Sequence, residues 1–307
     1  RILMIKDANQ PNINNWFNAC KLGDLGYVTQ HVQDLATIHD TVLLIEPNSD
    51  DKSSYQYNLS IQGFTGLMYA VLYQQNEIIE LLFDQEYQEF TTEKAAIPVP
   101  EQSMFKNCTF IPHRTQCVFA QHKIQNYVTV PQQSSILDLA VILEYPDQFD
   151  LLVQLIQKLP EPSIKKFFQH QNALLQNNLM LLCKSFDLHL FEKFVKNGQI
   201  LIQYQFEYET LGGDNCVTMA VQNQNAMYLK YFMGLAHDGI YKQFLDQFID
   251  QSYFHRNTLD MADSDSKVCK YLTQYQEQKL PKAPSWLKKA KHDFEDRLLI
   301  DLIKWNF

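Results

Sequence analysis

The sequence predicts a mainly α-helical fold in which short helix pairs lie side by side. The clearest pair is Gly63–Phe83, where a turn signal is followed by a short apolar helix, a polar break at Gln74–Asn76 and a second apolar helix. The second helix is apolar on more than one side, so it needs neighbours on two flanks. The same pattern recurs along the 307-residue chain, 46% of which is hydrophobic, so these neighbours can come from the chain itself.

The first helix of this pair has a recognisable start. Gly63 can take a positive φ without cost, and Thr65 is a natural N-cap. Leu67, Ala70 and Val71 then share one helix face. One pair cannot bury its own apolar faces, so further copies are expected. Six copies are predicted, near residues 14–33, 63–84, 135–158, 177–198, 213–235 and 256–273.

The second copy resembles an ankyrin repeat, whose signature is close to G-x-T-P-L-H-x-A-A followed by a V-V-x-L-L-like second helix. The residues in register are Gly63, Thr65, Leu67, Ala70, Ile78, Ile79, Leu81 and Leu82. The departures are Gly66 for Pro, Met68 for His, Val71 for Ala and Gln74 for Gly. The resemblance implies an ankyrin-like α-solenoid of stacked helix-turn-helix repeats.

The copies are unevenly spaced. The residues equivalent to Leu67 are Trp16, Leu67, Leu137, Leu179, Val217 and Leu259, separated by 51, 70, 42, 38 and 42 residues. The ankyrin period is about 33 residues. Every junction is therefore expected to carry an insertion.

The largest insertion is predicted at residues 84–133. Within it, Met104–Val130 alternates apolar and polar residues, which favours a long β-hairpin. Gln199–Leu211 alternates in the same way and is predicted as another hairpin arm. Two further segments, Pro160–Gln176 and Ala236–Phe254, are predicted as added helices, and the second helix of the sixth copy is predicted to be shortened.

Residues 281–307 follow the predicted repeat domain, which spans residues 1–280. Within this tail, Trp286–Trp305 is amphipathic. A solenoid needs a cap over its last apolar face, so we expect a C-terminal capping helix. The alternative is a helix that docks in a groove of a partner.

Composition argues against several classes of protein. The formal net charge is −9, from 26 Lys and Arg against 35 Asp and Glu, and no basic face is apparent, so nucleic-acid binding is not expected. No run approaches the roughly 20 apolar residues of a membrane span, so membrane insertion is not expected. Six cysteines without disulfide-like spacing suit a reducing compartment. We therefore expect a cytoplasmic protein.

The sequence carries no catalytic motif of the nucleophile-elbow, phosphate-loop, zinc-protease or dinucleotide type. We expect no enzymatic activity, no cofactor and no small-molecule substrate. One metal-like set is present, namely Cys108, His113, Cys117 and His122. Zinc accepts two Cys and two His, but this set lacks the usual closely spaced ligand pair, so ordinary hairpin residues are the favoured interpretation and zinc the alternative.

The resemblance implies a non-catalytic scaffold or adaptor for protein–protein interaction, or a fixed subunit of a larger assembly. Ankyrin domains bind proteins through hairpin tips and the concave face of the first helices. By register these positions are Ile61, Gln62, Phe64, Leu72, Tyr73, Ile142, Leu143, Lys184, Gln222 and Asn223. Exposed Phe64, Leu72 and Tyr73 would suit an interface, unless an insertion packs over them.

Two alternatives remain for the function. One is a zinc-stabilised adaptor, or an enzyme, that uses the insertion at residues 84–133. The other is the targeting module of a host-directed effector whose activity lies on a segment outside this chain.

Overall fold

The structure is a computed structural model that describes residues 13–41, 60–99, 114–119, 123–210, 212–235, 239–250, 252–253 and 256–276. These residues are mainly helical, as predicted. They fall into two compact units, which divide after Leu174 and are described here one at a time.

The first unit contains three helix pairs and one added helix. The helices are α1 (Ile13–Leu22), α2 (Leu25–Leu35), α3 (Gly66–Leu72), α4 (Asn76–Glu86), α5 (Ile136–Ile142), α6 (Pro146–Gln157) and α7 (Glu161–Phe168). The two members of each pair pack together. In addition, α3 packs against α1 and α5, and α4 packs against α2 and α6. The pairs therefore form two rows of helices, and α7 is the helix predicted between copies.

The insertion of the first unit carries a small antiparallel sheet. Its strands are β1 (Ala95–Val99), β2 (Arg114–Phe119) and β3 (Lys123–Val130), in the order β1-β3-β2. The predicted hairpin is confirmed in β2 and β3, whereas β1, which contains Pro98, was not predicted. Because β1 is an edge of this sheet, a proline can be accommodated there. The end of β3 packs against α5, and Ile97 and Val128 are buried.

The second unit contains two helix pairs, two added helices and a terminal element. The elements are α8 (Asn178–Leu182), α9 (Leu188–Asn197), α10 (Gln199–Gln205), α11 (Cys216–Gln222), α12 (Ala226–Leu235), α13 (Gly239–Asp250), β4 (Ser252–Tyr253), β5 (Arg256–Asn257), a 3-10 turn (Leu259–Met261) and α14 (Lys267–Gln276). α8 packs against α10 and α11, and α12 packs against α11, α13 and α14. Aromatic rings fill the space between α9 and α12, where Phe191 meets Tyr228 edge to face with ring centres 4.9 Å apart.

Two predictions fail in this unit. The expected hairpin arm at Gln199–Leu211 begins as helix α10, because Leu201, Ile202 and Gln205 line one buried helical face. The sixth copy was expected to have a shortened second helix. Instead its first helix is reduced to the 3-10 turn, while its second helix, α14, has 10 residues.

The first helices of four copies begin in the same way. Their N-caps are Thr65, Ser135, Asn177 and Asn215, and each N-cap side chain accepts the backbone N–H three residues later. The second helical residues are Leu67, Leu137, Leu179 and Val217, and all four are fully buried. These four residues therefore share their position after the N-cap and their burial.

The turn inside four of the pairs is also the same. The backbone N–H groups of Asp24, Gln75, Tyr145 and Asn225 donate to the carbonyls of Ala19, Ala70, Ala140 and Ala220, respectively, over 2.7–3.0 Å. The residue before each donor is left-handed, namely Gly23, Gln74, Glu144 and Gln224. Only the first is glycine, so three of these turns hold a residue that rarely adopts this conformation.

The two long insertions start and end at equivalent positions of their helix pairs. In three copies, one residue makes two backbone hydrogen bonds to the segment just before the N-cap. Its N–H donates one bond and its carbonyl accepts the other. The three sets are Asp40 with Gly63 and Phe64, Thr91 with Gln133 and Ser134, and Thr210 with Gly213 and Asp214. The last set closes over residues 211–212 alone. The other two close over residues 41–62 and 92–132, so both insertions extend the same turn.

Candidate partner-binding surface

The structure buries four of the predicted partner-binding residues, namely Ile61, Phe64, Leu72 and Ile142. Phe64 is 0% exposed, with its ring centre 5.6 Å from that of Tyr69. The backbone N–H of Ile61 donates to the Tyr69 hydroxyl at 2.5 Å. Exposure and cover were both left open for Phe64 and Leu72, and the structure shows that both side chains are buried.

Two of the predicted partner-binding residues lie at the ends of helices in the first unit and are partly exposed. Tyr73 caps α3 and Leu143 caps α5. Leu22 takes the equivalent place in α1, since each of the three directly precedes the left-handed turn residue of its pair. Leu22 is 60% exposed. We call Leu22, Tyr73 and Leu143 the apolar row; the sequence analysis missed Leu22, which the register of the first copy would have indicated.

Gln62 lies elsewhere, just before Gly63 at the base of the first insertion, and is partly exposed. It is polar and lies outside the apolar row, so it can contribute hydrogen bonds at the margin of a contact surface.

The predicted residues of the second unit form a polar cluster. Gln222 is exposed and donates from Nε2 to Asp214 Oδ1 at 3.2 Å. Burial lowers the pKa of Lys184 to about 8, although the charge of Asp214 opposes this effect. Asn223 donates from Nδ2 to the carbonyl of Met219 at 2.7 Å. This cluster can exchange hydrogen bonds with a partner.

A buried polar network holds α1 to α3 in the first unit. Lys21 is 2% exposed, and its Nζ lies 4.4 Å from the centre of the Tyr69 ring. The Tyr69 hydroxyl donates to Asp40 Oδ2 at 2.6 Å. Burial lowers the pKa of Lys21 and raises the pKa of Tyr69. Because all three side chains are buried, the network is inaccessible to a substrate and is structural.

A buried carboxylate fixes the start of α3. Glu86 is 0% exposed, and its carboxylate accepts the backbone N–H groups of Leu67 at 2.8 Å and Thr37 at 3.2 Å. Burial raises the pKa of Glu86, while the hydrogen bonds from Thr65, Leu67 and Thr37 lower it. In the second unit Gln205 has the equivalent role, since its Oε1 accepts the N–H of Leu179 at 3.0 Å.

The predicted zinc ligands lie largely outside the described residues. This holds for Cys108, His113 and His122, and for the side chain of Cys117, whose backbone lies in β2. Among the residues that the structure describes, no group of three or more His, Cys, Asp or Glu side chains could hold a metal ion. Zinc binding therefore stays the alternative interpretation of this set.

None of the described helices combines the length and the apolar character that crossing a bilayer requires. A scan of the chain against models of known protein families gives no match, and a search of curated proteins gives none either. The resemblance to ankyrin repeats therefore depends on the residues in register.

Proposed function

We propose that this chain is a non-catalytic scaffold for protein–protein interaction in the cytoplasm, built as a degenerate ankyrin-like α-solenoid. The supporting observation is that successive helix pairs repeat one N-cap, one left-handed turn and one hairpin base. Such pairs bury their apolar faces only against neighbours, so they extend into a surface rather than a closed pocket. Such a surface suits binding of another protein.

The apolar row is the proposed centre of the binding surface. Its members come from three successive helix pairs, so they offer a partner a line of contacts across α1, α3 and α5. A leucine that is 60% exposed, beside a partly exposed tyrosine and a second leucine, suits an apolar partner surface. The partner is expected to bring leucine-like or aromatic side chains to this line.

A charged pair of substitutions tests the proposal. Leu22→Asp together with Leu143→Asp places carboxylates where apolar contact is expected, so capture of the partner should fall at least tenfold. The measurement is quantitative co-purification with mass spectrometry from cells that express the chain.

Leu25→Asp is the matched control. Leu25 is 39% exposed and begins α2, outside the apolar row. This variant should keep the partner, and circular dichroism should show unchanged helix content in all variants. Undiminished capture by the folded double variant would refute the proposed surface.

A further inference from the structure

Two buried cysteines lie on neighbouring helices of the second unit, and the Cys216 thiol is 3.9 Å from the carbonyl oxygen of Phe206. Cys183 follows α8 as its C-cap, and Cys216 is the first residue of α11. The two helices pack together, and both cysteines are buried with free thiols. The sequence spacing gives no sign of this pairing, because 33 positions separate them (216 − 183).

The repeat register gives the geometry of the pair. Cys183 lies six residues after N-cap Asn177, and Cys216 lies one residue after N-cap Asn215. In the first unit the same two positions, in adjacent helices α1 and α3, are held by Cys20 and Gly66.

The separation at the equivalent site matches a disulfide. A Cβ added at Gly66 would lie 3.0 Å from Cys20 Sγ. In a disulfide, whose S–S bond is about 2.05 Å, the Cβ of one cysteine lies at about this distance from the sulfur of the other. At the position where the first unit has Gly66, the second unit has Cys216, which supplies the second thiol.

The electrostatics agree with close approach and define when the thiols react. Burial raises the pKa of both thiols, and the nearby Cys216 raises the pKa of Cys183 further. Buried, protonated thiols are poor nucleophiles. Reaction is therefore expected while the chain folds, or when α8 and α11 separate transiently.

We propose that Cys183 and Cys216 form a disulfide between α8 and α11 when the chain meets a small-molecule disulfide such as oxidised glutathione. One cysteine thiolate attacks the small disulfide, whose S–S bond breaks and releases one glutathione thiolate. The second cysteine thiolate then attacks the protein sulfur of the mixed disulfide and releases the second. The two cysteines are oxidised, oxidised glutathione is reduced to two thiols, and the two cysteine protons pass to them.

The test refolds the full chain from urea in buffer containing oxidised and reduced glutathione, followed by digestion and mass spectrometry. A peptide linking Cys183 to Cys216 is expected as the main cross-link within the second unit. Closing this loop should raise Tm by about 5–10 °C, reversibly with dithiothreitol. Peptide maps in which these two cysteines stay reduced, or pair with other cysteines, would overturn the proposal.

Two variants complete the test. Cys216→Ala should remove both the linked peptide and the dithiothreitol-sensitive part of Tm. Cys269→Ala, at a partly exposed cysteine in α14, should keep both. Since the wild-type peptide map decides the pairing by itself, a folding defect in either variant leaves the result intact.

Discussion

At the scale of single residues, Gly66 is explained by its neighbours in the preceding helix pair. A Cβ there would lie 3.0 Å from both Cys20 Sγ and Trp16 Nε1. Trp16 is fully buried, so it cannot move aside into solvent. The proline usual in the ankyrin signature would crowd the same space. The departure from the signature at Gly66 thus goes with a large tryptophan at the equivalent of Leu67 in the first copy.

Gly66→Ala should therefore destabilise the chain, even though alanine has a higher helix propensity than glycine. We expect a loss of about 1–3 kcal/mol in the free energy of unfolding, from overpacking against Trp16 and Cys20. Urea unfolding followed by circular dichroism measures it. Gly26→Ala is the control: a Cβ there has only ordinary contact at 3.6 Å, so a gain of up to about 1 kcal/mol is expected. Equal effects of the two substitutions would contradict this explanation.

At the scale of elements, a histidine after α7 joins both ends of the larger insertion. The His170 ring stacks on Phe90 with ring centres 3.5 Å apart. Its Nε2 lies 2.7 Å from the carbonyl oxygen of Gln133, to which it donates. Phe90 lies next to Thr91, which precedes residues 92–132, and Gln133 directly follows them. His170 therefore holds the base of the insertion closed.

The stability of this arrangement should depend on pH. Burial lowers the pKa of His170, and the hydrogen bond to Gln133 opposes this only in part. The unfolded chain, with a histidine pKa of about 6.5, then binds the proton before the folded chain does. The contribution of His170 is complete well above pH 6.5 and is lost as pH falls below it.

His170→Gln should remove this component of the pH dependence. Urea unfolding at pH 7.5 and 5.5 should show a smaller loss of stability on acidification for the variant than for the wild type. His189→Gln is the control, because the His189 side chain is 65% exposed. It should keep the wild-type dependence; if His170→Gln keeps it as well, His170 does not account for it.

At the scale of the whole molecule, the insertions are additions to a repeated plan. Residues 92–132 connect the two sides of one hairpin base. At the equivalent hairpin, residues 211–212 alone make this connection. The hydrogen bonds that close the base are the same in both places, with Thr91 and Thr210 as the equivalent residues. The helix pairs are thus expected to fold without the insertion.

Replacement of residues 92–132 by Leu-Gly, the sequence of residues 211–212, tests this expectation. Helix content by circular dichroism should be retained. Tm should fall by several degrees, because the packing of β3 on α5 is lost. Partner capture through the apolar row should persist. Collapse of the helix content would mean that the sheet is part of the core of the first unit rather than an addition to it.

The helix pairs could be predicted from the sequence, because their signals are local. An N-cap such as Thr65, the apolar face that follows it and the turn at Gln74 all lie within a few residues of one another. The same holds for the hairpin in β2 and β3, where alternation and a short connection suffice.

Tertiary contacts set which of these residues face solvent and where the insertions attach. Phe64 is buried through contacts with Tyr69, which itself bonds to Asp40, 29 positions away. Gln199–Gln205 is a helix because its apolar residues face α8 rather than solvent. The packing of α8 against α11, which places Cys183 and Cys216 on neighbouring helices, is likewise a contact between distant residues. Contacts between distant residues set these features, and a local sequence pattern does not contain them.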